Sequence, residues 1–349
     1  MSDTPPEPRT VPYLFGHGKA EAGFLDAFRS GRFHHAWLIT GPAGIGKATF
    51  AFRAARYLFD HPDPSDPELA LHADLSVDTA SPSFAKVAAG AHPNLLHLTR
   101  PYDDKAKRLK TEIPVDLVRR TQSFFGTTAA EEGWRICIVD SADDLNANAA
   151  NALLKNLEEP TARGLYLIVC HNPGRLLPTI RSRCRVLRLT ALERSDLERA
   201  VRTALEAQDL TVSEDDLQLA LEASRGSAGK ALIFLESGGL DVMNGLKGLT
   251  ARLPAIDRRD LHGLAQSLAA REAESRYDLF CDLAYDYAAD RVRADDCTLA
   301  ARMRWSLAGQ EILEIGRQSR IFNLDRKQAV IQIVETLAGA AGSPISPEA

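Results

Sequence analysis

The chain has 349 residues, 45% hydrophobic and 26% charged, with a formal net charge of −5. That length implies two or three domains, and the composition is ordinary for a soluble globular protein. The acidic balance argues against a stand-alone nucleic-acid binder, which would be basic, though not against a subunit of a basic channel built by partners.

No apolar run approaches the ~20 residues that a membrane helix needs. The acidic, proline-rich start Met1–Pro8 reads as a frayed tail, unlike a secretory signal, and a cytoplasmic chain is expected. Five scattered cysteines, Cys137, Cys170, Cys184, Cys281 and Cys297, sit largely in apolar stretches. With no C-x-x-C pair, they fit reduced thiols and not a disulfide framework or a zinc site.

In chain order, Val11 to Arg32 reads as a helix with Phe15, Phe24, Leu25 and Phe28 apolar. His34 and His35 read as polar residues at a strand start, since no third metal ligand is evident. Trp37–Thr40 is then a short apolar strand, followed by Gly41-Pro-Ala-Gly44-Ile-Gly46-Lys47-Ala48 and a helix carrying Phe50, Ala54, Leu58 and Phe59. Strand, GxxxxGK and helix in that order match a P-loop. Its glycines, Gly41, Gly44 and Gly46, let backbone N–H groups converge on phosphate oxygens, while the helix N-terminus and Lys47 add positive charge. The next position should carry a hydroxyl to ligate Mg²⁺ but is Ala48. Thr49 is one residue late and, at about 100° per residue, points elsewhere. The loop is therefore equipped to hold a nucleotide and poorly equipped to hydrolyse one.

Asp60 to Gly90 is rich in Pro, Asp, Ser and Ala and reads as a loop or short-helix insertion. Asn94–Leu98 is a second strand, and the charge run Asp103–Lys110 a solvated loop, with Lys105, Lys107 and Lys110 open to a phosphate contact. Pro114 opens a helix with Leu117, Val118, Thr121, Phe124 and Phe125 apolar, closed by Gly126. Arg135–Asp140 is a buried strand ending in a carboxylate, where P-loop NTPases place an acid that positions Mg²⁺. The next residue is Ser141, whose hydroxyl has no useful basicity, so the general-base role is vacant. Asn148–Pro160 is an amphipathic helix stopped by proline, Leu165–Cys170 a buried strand, and Val186–Leu189 a last strand after Ser182-Arg183-Cys184. Strands alternating with helices imply α/β architecture with a parallel sheet and right-handed crossovers. From Ala191 the pattern is helical only, with a break at Gly238-Gly239, and Gly342–Pro347 reads as a tail.

Asp140 at a strand end, Asn151-Ala-Leu-Leu-Lys-Asn-Leu-Glu-Glu-Pro160 and Ser182-Arg183-Cys184, in this order after the P-loop, resemble the clamp-loader branch of AAA+ ATPases. The resemblance covers nearly the whole chain and is strongest from His34 to Leu189. It implies an AAA+ base domain over 1–190, a small helical lid over 191–238 and a helical collar for oligomerisation over 239–349. It also implies a ring of five subunits that uses ATP to place a sliding clamp on primed DNA for a DNA-directed DNA polymerase, a nucleotidyltransferase. The partners implied are motor subunits of the gamma/tau type and a delta-type subunit. In such rings the arginine of the Ser-Arg-Cys triplet is delivered in trans to a neighbour's ATP, a role that falls here on Arg183. A guanidinium suits it, being permanently charged and forked to match phosphate oxygens.

Four departures qualify the match. Many relatives carry a four-cysteine zinc module after the P-loop helix, but Asp60–Gly90 has no cysteine, so no zinc is expected. The lid arginine that catalytic relatives aim at the γ-phosphate is not apparent, and Lys230 is the nearest substitute. Together with Ala48 and Ser141, this points to a subunit that binds ATP, if at all, through Gly41, Gly44, Gly46, Lys47 and Asp140 without hydrolysing it. An ATP-hydrolysing motor subunit, or a P-loop kinase or metabolic NTPase, are the alternative readings.

Overall fold

The structure, a computed structural model, describes residues 7–103, 108–126, 133–174, 176–235, 238–270, 273–295, 297–322 and 324–342. Lys105 and Lys107 of the charge run, and most of both expected tails, lie outside these residues. The chain divides into two compact units, Met1–Thr211 with Leu221–Gly229, and Val212–Ala220 with Lys230–Ala349.

The first unit begins with helix α1 (Gly18–Arg29), strand β1 (Ala36–Thr40) and helix α2 (Lys47–Asp60). The helix expected from Val11 starts only at Gly18, for a physical reason. Carbonyls of the preceding segment accept from buried arginines of α2: Arg53 donates to Pro12, and Arg56 to Arg9 and Val11 at 3.1 and 2.6 Å. Backbone acceptors used in this way are not available to a helical ladder.

The insertion after α2 holds one 3-10 turn, Pro67–Leu71, and helix α3 (Pro82–Ala88), capped by the Ser81 hydroxyl. Strand β2 (Leu95–Thr99) follows. At the described ends of the charge run, β3 (Tyr102–Asp103) pairs antiparallel with β4 (Arg108–Leu109), where the sequence reads as a loop. Then come α4 (Val115–Gly126), β5 (Arg135–Asp140), α5 (Ala147–Glu158), β6 (Gly164–Cys170), α6 (Pro178–Arg181) and β7 (Arg185–Arg188).

The five long-range strands form one parallel sheet in the order β2-β5-β6-β1-β7, with the P-loop strand between β6 and β7. Alternation along the strands builds a core on each face. Trp37, Ile39, Ile138 and Leu167 pack with Phe24 and Phe28 of α1 and Phe50 and Ala54 of α2. Leu38, Val139 and Ile168 pack with Val118 of α4 and Ala149, Leu153 and Leu157 of α5 on the other. Period-two side-chain direction in strands that are buried on both sides makes such a three-layer unit.

Helices α7 (Arg194–Ala207), α8 (Glu214–Ala223) and α9 (Ala228–Leu235) follow. In the second unit α10 (Gly239–Thr250), α11 (Arg258–Ala269), α12 (Glu274–Arg293), α13 (Leu299–Phe322) and α14 (Arg326–Ala341) surround a core of Leu246, Leu261, Phe280, Trp305, Ile312 and Ile333. No helix among the described residues is long and apolar enough to cross a membrane.

Candidate nucleotide site and finger segment

Parallel register sets Thr40 beside Cys170 and Thr99 beside Asp140. The P-loop, Asp140 and the His171-Asn172 segment therefore leave the sheet at its carboxyl edge, where open α/β sheets bind ligands. All five residues expected there, Gly41, Gly44, Gly46, Lys47 and Asp140, are brought to that edge.

The loop is held closely on both sides. Gly44 has φ of 73°, and a Cβ there would run into the Ser227 hydroxyl. Ser227 Oγ donates to the Ala43 carbonyl at 3.0 Å, and the Gly229 N–H to the Gly44 carbonyl at 2.8 Å. Gly41 lies so close to the Leu189 carbonyl that no side chain fits between them. Lys47 is 3% exposed, and its Nζ donates to the carbonyls of Gly41, at 2.7 Å, and Pro42. Burial pushes its pKa down to about 8, against the pull of Asp143, Cys170 and Asp140. Half-buried Ala48 packs against the adjoining core and offers no hydroxyl.

Around Lys47 stands an acidic cluster. Burial, reinforced by Asp144, pushes Asp140 up to about 6, while Lys47 and Arg100 oppose it. Asp143 accepts the N–H groups of His171 and Asn172 at 2.6 and 2.7 Å, which ties the end of β6 to the segment after β5. Ser141 is buried, and its hydroxyl donates to Asp144 at 3.3 Å. Arg100 pairs with Asp144 at 3.5 Å. Burial lowers both His97 and His171 to about 4, so neither carries charge at neutral pH. This edge thus holds a lysine, an arginine and several carboxylates, with a structural serine where a general base would be needed.

Sequence reading left out Asp143, Arg100, His97 and His171. Asp143 shares one 3-10 turn with Asp144, Ala142–Asp144, and that turn aims its carboxylate across to the neighbouring strand end. No periodicity in the sequence announces such a turn. Lys230 is the residue expected as the nearest substitute for the lid arginine. Its amino group pairs with Asp282 at 3.4 Å and Asp286 at 3.3 Å, carboxylates of α12, so it is engaged within the second unit. His34 and His35 stack on each other and bond main chain, His34 at Ala36 and His35 at the Leu157 carbonyl. Among the described residues no group of three His, Cys, Asp or Glu side chains is placed to hold a metal.

Arg183 occupies the tight turn between α6 and β7. Pro178 opens α6, buried Ile180 anchors it, and half-buried Cys184 packs against the core below. Burial raises the Cys184 thiol to about 12, which leaves it an inert packing group. The Thr179 carbonyl accepts both the Ser182 hydroxyl, at 3.1 Å, and Arg183 Nη1, at 3.0 Å. Arg183 Nη2 lies 2.7 Å from Glu158 Oε1, with the two side chains 36% and 49% exposed. Within the triplet, Ser182 closes the turn, Cys184 roots it, and Arg183 is displayed.

Residues 16–193 match the family model described as DNA polymerase III, delta subunit. DNA polymerase III subunit delta' of Escherichia coli K12 is 30% identical over 260 residues, covering 74% of this chain and 71% of the relative. The corresponding subunit of Pseudomonas aeruginosa is 38% identical over 151 residues, 43% of this chain and 41% of that one, so the match spans less than half of that relative. A replication factor C small subunit of Haloarcula marismortui is 24% identical over 332 residues, 95% of this chain and 85% of the relative.

Proposed function

From the premise that the chain belongs to the DNA polymerase III delta-subunit family, with delta-prime relatives, we propose that it is a non-hydrolysing clamp-loader subunit lending Arg183 to a neighbour's ATP. The observation that carries this reading is the contrast at its own nucleotide edge. The phosphate-gripping parts are present, yet position 48 is an alanine and the Ser141 hydroxyl is committed to Asp144. Bound ATP would supply phosphate charge for the loop N–H groups and Lys47 to grip. At position 48 the chain has no hydroxyl to ligate Mg²⁺, and at position 141 it has no base to activate water. A working motor would not be expected to lack both groups and keep a displayed arginine.

In this reading the partners are gamma/tau-type motor subunits and a delta-type subunit in a hetero-pentamer, with the sliding clamp and primed DNA engaged through the complex in the cytoplasm. The helices over 191–238 act as the lid, those over 239–349 as the oligomerising collar, and 1–190 as the base. Arg183 forks onto phosphate oxygens of the neighbour's ATP and stabilises the charge that builds as the phosphoryl group departs.

The test is ATP turnover of the complex reconstituted with the motor subunit, clamp and primed DNA. Arg183→Ala should lower turnover at the neighbouring site by ~10³ or more. Unchanged turnover would overturn the finger assignment.

A further inference from the structure

We propose that Glu158 is a positioning residue for Arg183, a resting counter-ion that holds the finger against its own subunit until a neighbour's phosphate displaces it. The inference rests on the finger reading above.

The two residues meet because two elements end side by side. Asn146 caps α5 by accepting the Ala149 N–H at 2.9 Å, and Pro160 forbids the helix from running on, so Glu158 falls in the last turn of α5. On the other side, the turn after α6 is closed by the Ser182 N–H to Pro178, at 2.9 Å, and the Arg183 N–H to Ile180, at 3.1 Å. Between these ends the guanidinium is gripped at two points, by Glu158 at 2.7 Å and by the Thr179 carbonyl at 3.0 Å.

The two grips differ in kind. Thr179 lies in α6, four residues before Arg183, so its carbonyl is a neutral grip built into the same local segment. Glu158 is an anion of comparable chemistry to a phosphate oxygen; the five N–H donors of the guanidinium could serve both, but two anions brought to one guanidinium repel each other, so an arriving phosphate competes with Glu158. Its exposure makes it a weak holder, since exposed pairs of this type contribute ~0.2–1 kcal/mol. That biases an arginine side chain, which would otherwise sample many rotamers, toward the docked position by a factor of about 1.4 to 5. It is far too little to withhold it from a multiply charged phosphate. Glu158 therefore tunes how readily the finger engages without taking part in the chemistry.

The experiment is the ATP dependence of turnover by the reconstituted complex with wild type, Glu158→Gln, Glu158→Asp, Arg183→Ala and the double variant Arg183→Ala/Glu158→Gln. The neutral Gln releases the finger, so the ATP concentration for half-maximal turnover should fall about 1.4- to five-fold, the factor that corresponds to an exposed pair. Maximal turnover should stay within about twofold, because the phosphate-bound state no longer contains the Glu158 contact. Glu158→Asp, which keeps the charge, should stay nearer to wild type than Gln does. In the Arg183→Ala background Glu158→Gln should be silent, as coupling through Arg183 requires.

A half-maximal concentration that does not move, or that rises, with Glu158→Gln while Arg183→Ala still lowers turnover at the neighbouring site would overturn the counter-ion role and leave the finger standing. A Glu158 effect that persists without Arg183 would also overturn it. No effect of Arg183→Ala would overturn both readings together.

Discussion

Two cations define this molecule, and they are held in opposite ways. Lys47 is 3% exposed, donates to carbonyls of its own loop and has a pKa lowered to about 8 by burial. Arg183 is 36% exposed and is held by a turn carbonyl and a half-exposed carboxylate. A charge tied into buried backbone is part of the architecture, and moving it leaves polar groups unsatisfied in a low-dielectric setting. A charge held at the surface by another surface charge is kept at little cost and is easily passed on. Lys47 is thus bound into its own loop, whereas Arg183 is held only by contacts that a competing anion can replace, as the proposed transfer to a neighbour requires.

The largest effect that would break this comparison is the ~10³ loss of turnover at the neighbouring site expected for Arg183→Ala. Arg183→Lys should recover only part of it, because an ammonium is a point charge without the fork that spans two oxygens.

Next in size is the contrast between buried and exposed ion pairs on stability. Arg53 of α2 pairs with Glu21 of α1 at 2.9 Å, with both side chains 4% exposed. Arg53→Ala would strand Glu21 and release the Pro12 carbonyl, and should lower unfolding free energy by about 3–5 kcal/mol in urea titration. Glu158→Gln, at the exposed pair, should change it by less than about 1 kcal/mol. Comparable losses would mean that the finger's holder is structural after all.

The smallest effect concerns Lys47 and pH. Only its protonated form attracts phosphate, and the group loses its proton above about 8. Nucleotide affinity, measured by calorimetric titration, should be about tenfold weaker at pH 9 than at pH 7, and that slope should vanish in Lys47→Met. The sign for folding is opposite. Because the folded pKa lies below the ordinary value of 10.5, the stability contributed by this group is present above that value and is lost as pH falls through about 8.

Much of this was legible in the sequence. The alternation of buried strands with amphipathic helices pointed to the parallel α/β unit. Ala48, Ser141 and Arg183 were each identifiable by their place in a motif. The missing parts depended on side chains acting at a distance. Nothing in the sequence pattern from Val11 onward discloses that Arg53 and Arg56 take the carbonyls a helix would need. The charge run gives no hint that Asp103 and Arg108 pair as antiparallel strand residues. Asp143 joins the site through a turn that crosses to the next strand. Lys230, read as the nearest substitute for a phosphate sensor, is held by α12 carboxylates that lie more than fifty positions away along the chain.

The most direct test of the central claim is ATP turnover by the isolated chain with saturating ATP and Mg²⁺. Turnover indistinguishable from background, unchanged by Lys47→Met, is the result expected of a subunit that grips phosphates but has neither the metal hydroxyl nor the base. Magnesium-dependent turnover at the rate of a working motor, abolished by Lys47→Met, would contradict it.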